Sequence, residues 1–280
     1  MTHRVPKESA HLSLAGLKVQ FFGLGALGSA LANRLVSAGA SVQGIDTDAI
    51  AQARWAAIHG SVQETEPAVI VLCVTDEAAS LSVIDSALGS WPRGALLIEH
   101  GTVSPASACR TASRCRNAGL RYADAPLSGG VEGARRGEMV AMLGTDPSDQ
   151  SEITRVLAAY CAQVIFLGNA GAGQTCKLAN QLAIAGIAAG LASARQFSLA
   201  AGLNLEQVFA ALSLGSARSV QLDRLQSALS RPDTDAAELF TWLRKDLDLC
   251  AKVSDQSDPM VKLWRTLWDT DPLPPIGRAP

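Results

Sequence analysis

The chain has 280 residues, 48% of them apolar, and a formal net charge of −2. That length allows one large or two ordinary domains, the apolar share suits a well-buried globular protein, and the charge offers no basic field for nucleic acid or an anionic membrane. The six cysteines, Cys73, Cys109, Cys115, Cys161, Cys176 and Cys250, form no CxxC pair and no Cys/His metal spacing, which fits a reduced, cytoplasmic protein without a metal site better than a disulfide framework.

The opening MTHRVPKESAH lacks an apolar core, so it reads as a short frayed tail and not as a signal peptide. Residues 17–22 are short, apolar and aromatic, as a buried strand should be. They run into Gly23-Leu24-Gly25-Ala26-Leu27-Gly28, and residues 29–36 then have helical character. Residues 41–45 give the next strand, which ends at Asp46. Strand, GxGxxG, helix, strand and acid together predict a dinucleotide site. The first glycine permits a tight turn, the second lets backbone approach a pyrophosphate, and the third lets helix pack on strand. A carboxylate at Asp46 can accept from a ribose 2′-hydroxyl and repels a 2′-phosphate, which favours NAD over NADP; Arg54, within reach of a phosphate, keeps NADP open.

Further strands are expected at 68–74, 95–98, 120–123, 138–143 and 163–167. Thr75, Asp76 and Glu77 open a helix after the first of these, with a capping residue and acids in the first turn. Alternation of strand and helix implies an α/β fold with a doubly wound, mostly parallel sheet of Rossmann type. Ligands bind such sheets beyond the carboxyl ends of the strands, where the glycine loop, Asp46, Thr75, Thr102 and the Pro126 segment all fall. After Leu167 only helical segments follow, at about 173–201, 205–214, 220–229, 236–253 and 259–268, before an irregular proline-rich tail. The expected organisation is a dinucleotide-binding domain over 12–169 and an all-α substrate and dimerisation domain over 170–280, joined by a long helix.

Two stretches carry further chemistry. Asp124-Ala-Pro-Leu-Ser128-Gly129-Gly130, with Gly133 and Gly137, is either an anion nest for a carboxylate-bearing substrate or a structural loop that needs positive φ. Gly171-Ala-Gly173-Gln-Thr-Cys-Lys177 opens the long helix. Lys177 is the only charge between Gly168 and Arg195, and Asn180 and Gln181 follow on its face. By itself Lys177 reads as a solvated lysine near a helix start or as a proton donor in a desolvated cleft. The apolar run 178–194 approaches spanning length, but its amides and its alanines and glycines point to a packed helix and not to a membrane.

With these motifs in order the chain resembles the β-hydroxyacid dehydrogenase family, which includes 3-hydroxyisobutyrate dehydrogenase and tartronate semialdehyde reductase. The resemblance covers about residues 17–253 and rests on the glycine loop, the Asp124–Gly130 stretch, Lys177-Leu-Ala-Asn-Gln181 and Lys245-Asp-Leu-Asp-Leu249. It implies that Lys177 is the catalytic general acid/base, that Ser128, Gly129 and Gly130 hold the substrate carboxylate, and that Thr102 and Lys245 lie near the cofactor. It leaves the amide that meets the substrate as Asn180 or Gln181, and implies a homodimer or higher homo-oligomer. The implied reaction is NAD(P)-dependent interconversion of a small 3-hydroxy acid and its carbonyl form. Imine reduction on the same scaffold is the alternative that Lys177 weighs against, and a non-catalytic cofactor-binding protein is the other. His100 departs from the family pattern; it either touches the nicotinamide or ends a strand.

Overall fold

The computed structural model describes residues 2–4, 13–60, 66–229 and 241–253. The chain divides into two compact units, Met1–Lys177 and Leu178–Pro280. The first opens with β1 (Thr2–Arg4), β2 (Lys18–Phe22), α1 (Ala26–Ser37), β3 (Ser41–Ile45) and α2 (Ala49–His59). It continues through β4 (Val69–Leu72), α3 (Glu77–Ala87), β5 (Leu96–Glu99), α4 (Pro105–Asn117) and β6 (Arg121–Asp124). Then come β7 (Leu127–Ser128), α5 (Gly130–Arg136), β8 (Met139–Thr145), α6 (Gln150–Leu157) and β9 (Cys161–Gly168).

The strands join in one sheet, ordered β1-β9-β8-β6-β5-β4-β2-β3, with β7 paired to β8. Strands β2 to β6 are parallel, and β2 lies between β3 and β4. The winding direction therefore reverses beside β2, which is where open sheets of this kind bind their ligands. Strands β4 and β5 are buried along their whole length because they have helices on both faces. Val69, Val71, Leu96 and Ile98 share a core with Leu31 and Leu35 of α1. Their neighbours Ile70, Leu72 and Leu97 pack with Ile84 of α3 and with Ala108 and Cys115 of α4. This period-two division of the strand residues makes the fold doubly wound.

The sheet is mostly parallel, as expected; β8 runs antiparallel to β6 and to β7, a strand too short to show in the sequence. One expectation needs correction. The opening residues are not a frayed tail throughout: β1 pairs antiparallel with β9, Thr2 opposite Ile165. An edge strand offers unpaired backbone groups to any extended segment that reaches it.

Helix α7 (Ala172–Ala200) begins in the first unit and runs on into the second, which adds α8 (Leu205–Leu214), α9 (Val220–Leu229) and α10 (Thr241–Val253). The expected start of the last of these, 236–240, and the helix expected at 259–268 lie outside the described residues. In this unit Leu178 and Ala185 of α7 form a core with Leu243, Leu247 and Cys250 of α10, at helical spacing on both elements. By length and composition α7 is the described helix that is long and apolar enough to cross a membrane.

Candidate active site

The loop between β2 and α1 explains each of its glycines differently. Gly23 has φ +96°, and a Cβ there would run into the carbonyl of Cys73. A Cβ at Gly28 would run into the carbonyl of Gly23 and lie 3.3 Å from the Phe21 ring. Gly25 is different: nothing lies within 4 Å of its Cβ position. It is the N-cap of α1 and supplies no side-chain cap, so the first amides of the helix, Ala26 and Leu27 among them, have no side-chain acceptor from this residue. Open space at a helix N-terminus lined by backbone amides fits a pyrophosphate. Asp46 follows β3 and reaches back to the loop. Its Oδ2 accepts from Leu24 N at 2.5 Å and its Oδ1 from Asp48 N at 2.8 Å. The carboxylate thus lies beside the glycine loop, where a ribose would follow the pyrophosphate.

Thr75 and Thr102 lie past the ends of β4 and β5. Thr75 is exposed and hydrogen-bonds Asp76, which is the residue that caps α3. Thr102 is buried in the turn before α4. That turn is pinned at one end by Glu77, whose carboxylate accepts from Ser104 N at 2.6 Å.

The residues before Thr102 are structural. Glu99 is buried and accepts from the hydroxyls of Ser80 and Tyr122; burial, ahead of all else, raises its pKa. His100 is also buried, with Nδ1 2.7 Å from Ala125 O and Nε2 2.8 Å from Tyr160 OH. Both ring nitrogens are used by the protein, and burial pushes the imidazole pKa down to about 4. His100 thus stands directly after β5 with its ring held inside the protein.

Ser128 lies half-buried at the end of β7, and Gly129 and Gly130 are exposed with φ +135° and +68°. Side chains also pack closely on these glycines. A Cβ at Gly129 would lie 2.8 Å from Met139 Sδ, and one at Gly137 2.6 Å from the Arg34 guanidinium. The structural-loop reading of this stretch thus holds, since Gly129, Gly130 and Gly137 have positive φ, and the turn leaves Gly129 and Gly130 accessible.

Lys177 stands in the second turn of α7 and is almost wholly buried, 9% exposed. Its Nζ donates to Leu127 O at 3.0 Å. Two motifs fifty residues apart are thereby joined, with the ammonium bonded to the carbonyl that precedes Ser128 in the chain. Asn180 and Gln181 differ in their freedom. Gln181 is fully buried; its Oε1 accepts from Asn180 Nδ2 at 2.9 Å and its Nε2 donates to Asp246 Oδ2 at 2.6 Å. Asn180 stays half-buried. Lys245 is exposed on α10, its Nζ 3.9 Å from Asp246 Oδ1.

Sequence reasoning missed what holds α7 in place. Asp124 is fully buried at the end of β6 and accepts from Gly171 N and Gln174 N. Burial pushes its carboxyl up to about 6, against the backbone donors that favour the anion. The signal was present as an acid opening the second glycine stretch, but nothing in the sequence ties it to a helix start 47 residues on.

Comparison with known proteins gives the same picture. Residues 18–168 match the family model described as the NAD binding domain of 6-phosphogluconate dehydrogenase, and residues 171–270 match NAD-binding of NADP-dependent 3-hydroxyisobutyrate dehydrogenase. An uncharacterized oxidoreductase of Shewanella frigidimarina is 30% identical over 242 residues, 83% of either chain. The NAD-dependent L-serine dehydrogenase of Pseudomonas aeruginosa is 26% identical over 272 residues, 90% of this chain and 91% of that one. The structure of Mycobacterium tuberculosis 3-hydroxyisobutyrate dehydrogenase with L-serine is similar in fold, with a TM-score of 0.74 at 22% identity over 91% of this chain and 94% of that one.

Proposed function

We propose, from the premise that the chain belongs to the β-hydroxyacid dehydrogenase family and is an NAD(P)-dependent oxidoreductase, that it interconverts a small 3-hydroxy acid and its carbonyl form with Lys177 as general acid/base. The observation that carries this reading is the buried Lys177 ammonium bonded to Leu127 O, beside Ser128 and the two accessible glycines.

The nicotinamide, when bound, accepts or supplies the hydride. Gly23, Leu24, Gly25, Ala26, Leu27 and Gly28 would hold its pyrophosphate, with Asp46 at the ribose and Thr75 and Thr102 along the strand ends. Asp46 supports NAD over NADP by its charge. Lys245 is assigned to the cofactor on its family motif alone. Ser128 and the amides of Gly129 and Gly130 hold the substrate carboxylate, which orients the hydroxyl-bearing carbon. Lys177 takes the hydroxyl proton in oxidation and returns one to the carbonyl oxygen in reduction; its bond to Leu127 O fixes the direction of Nζ. Asn180 is the amide assigned to the substrate, because both ends of the Gln181 amide are engaged and buried. On this reading residues 12–169 bind the dinucleotide and 170–280 serve substrate binding and dimerisation, in a cytoplasmic homodimer or higher homo-oligomer.

The test is Lys177→Ala, assayed with NAD and NADP in parallel against short 3-hydroxy acids and L-serine, the last because a relative is an L-serine dehydrogenase. Loss of a proton-transfer group should lower kcat ~10²–10⁴-fold while NAD(H) still binds. Turnover near the wild-type value would sink the assignment.

A further inference from the structure

The lysine and the Thr102 turn come from distant parts of the sequence, yet one pair of buried side chains fastens both. Asp124 Oδ1 accepts from Gly171 N at 2.7 Å, and its Oδ2 from Gln174 N at 2.8 Å. These amides open α7, where a carboxylate also meets the positive end of the helix dipole. The Gln174 side chain, with no exposure, reaches the other way. Its Nε2 donates to Gly101 O at 2.8 Å, and its Oε1 accepts from Val103 N at 3.1 Å. Thr102 is the residue between those two backbone groups.

Close approach is built in. A Cβ at Gly173 would lie 2.8 Å from Asp124 Oδ2 and would run into Met142 O; one at Gly144 would lie 2.6 Å from Asp124 Oδ1. The glycine before Gln174 is therefore required by the carboxylate, and the turn cannot slide without breaking bonds on both sides. Lys177 follows Gln174 by three residues on the same helix, so a rotation or shift of this turn carries Nζ with it.

We propose that Asp124 and Gln174 are positioning residues for the reaction: the carboxylate fixes the first turn of α7, the amide ties the Gly101–Val103 backbone to that turn, and the proton-transferring lysine and the cofactor-side threonine are thereby set in one register. The proposal rests on the reading of Lys177 as the proton-transferring group. Neither residue touches substrate; both act through Lys177 and Thr102.

The experiment is a double-mutant cycle between Gln174→Met and Lys177→Met, read by single-turnover hydride transfer and NAD(H) titration, with thermal melting as the control for folding. Methionine keeps the length and volume of Gln174 and removes both hydrogen bonds. In the Lys177 background the single change should lower the rate ~10-fold or more with KM for the acid little changed, since a misplacement of an ångström costs up to about two orders of magnitude. It should also weaken NAD(H) binding several-fold, on the order of a single lost hydrogen bond. In the Lys177→Met background the rate effect should vanish, because the positioned group is gone. Equal losses in both backgrounds would make Gln174 a merely structural residue and overturn the proposal, as would a wild-type rate in Gln174→Met. Full turnover in Lys177→Met alone would instead bring down the reading beneath it. Gln174→Glu serves if the methionine variant does not fold: it keeps an acceptor for Val103 N, sets an oxygen against Gly101 O, and should lower the rate in the same lysine-dependent way.

Discussion

Two glycine-rich stretches of the first unit, each beside an aspartate, are put to opposite uses. In Gly23–Gly28 the central glycine, Gly25, faces open space, and Asp46 comes back to the loop from a half-buried position. In Asp124–Gly137 the acid turns wholly inward and the glycines Gly129, Gly133 and Gly137 lie against Met139 and Arg34. The first loop keeps its chemistry for a ligand; the second spends most of its own on the protein. Glycine content alone does not separate the two, and Gly23 and Gly28 are held as closely as Gly129 and Gly137; the open space at Gly25 makes the difference.

The largest expected effect concerns the inward acid. Asp124 has a carboxyl raised from 3.8 to about 6, so the folded state binds its proton more tightly than the unfolded chain does. Its contribution is favourable at low pH and is lost as pH rises through about 6. His100 has the opposite sign: its folded pKa is lowered from 6.5 to about 4, so stability present above about 6.5 is lost as pH falls towards 4. Each spans roughly 2 units, or about 3 kcal/mol at full size, and they oppose each other over the same window. Glu99, raised by burial, acts with Asp124. In His100→Gln the carboxyls are unopposed, and unfolding free energy should fall by about 3 kcal/mol between pH 4 and pH 6.5 relative to the wild-type trend. Urea melts at the two pH values measure this. A variant with the wild-type slope would mean that the burial of these groups does not govern their titration.

Next in size is Gly129→Ala. Its φ of +135° disfavours any side chain, and the new Cβ would press on Met139 Sδ. Strain and overpacking together should cost about 2–3 kcal/mol, a drop in Tm of about 5 °C or more. The loss should appear without any ligand. An unchanged Tm in the apo protein would erase the contrast between the loops.

How much of this was legible in the sequence depends on the range of the interaction. Strand β3 and helix α8 agree with expectation to the residue, because their signals are local: apolar runs, turn glycines and caps. The glycine loop and Asp46 were legible for the same reason, being one contiguous βαβ unit. Lys177 stood out as a lone charge, but its bond to Leu127 O was not predictable from either segment. Gln174 gave no signal, since an uncharged amide in an apolar helix start looks like its neighbours until Gly101 and Val103 arrive from the other side of a turn. The opening strand β1 was missed because edge pairing depends on a partner far along the chain.

The smallest effect is also the sharpest test of the contrast. Gly25 is the N-cap of α1, and serine is at least as good an N-cap as glycine. Gly25→Ser should therefore leave Tm unchanged or slightly raised. Its side chain would enter the open space over the helix N-terminus, where a pyrophosphate must approach backbone closely. NAD(H) affinity should fall ~10-fold, about 1.4 kcal/mol, while urea melts of the apo protein stay at the wild-type midpoint. Fluorescence titration of NADH gives the first number and chemical denaturation the second. The separation matters more than either value. If affinity and stability fell together, Gly25 would be one more glycine held by packing, and the two loops would differ in degree only. Unchanged affinity would instead remove the pyrophosphate from this end of α1, and the role of Asp46 beside it would go with it.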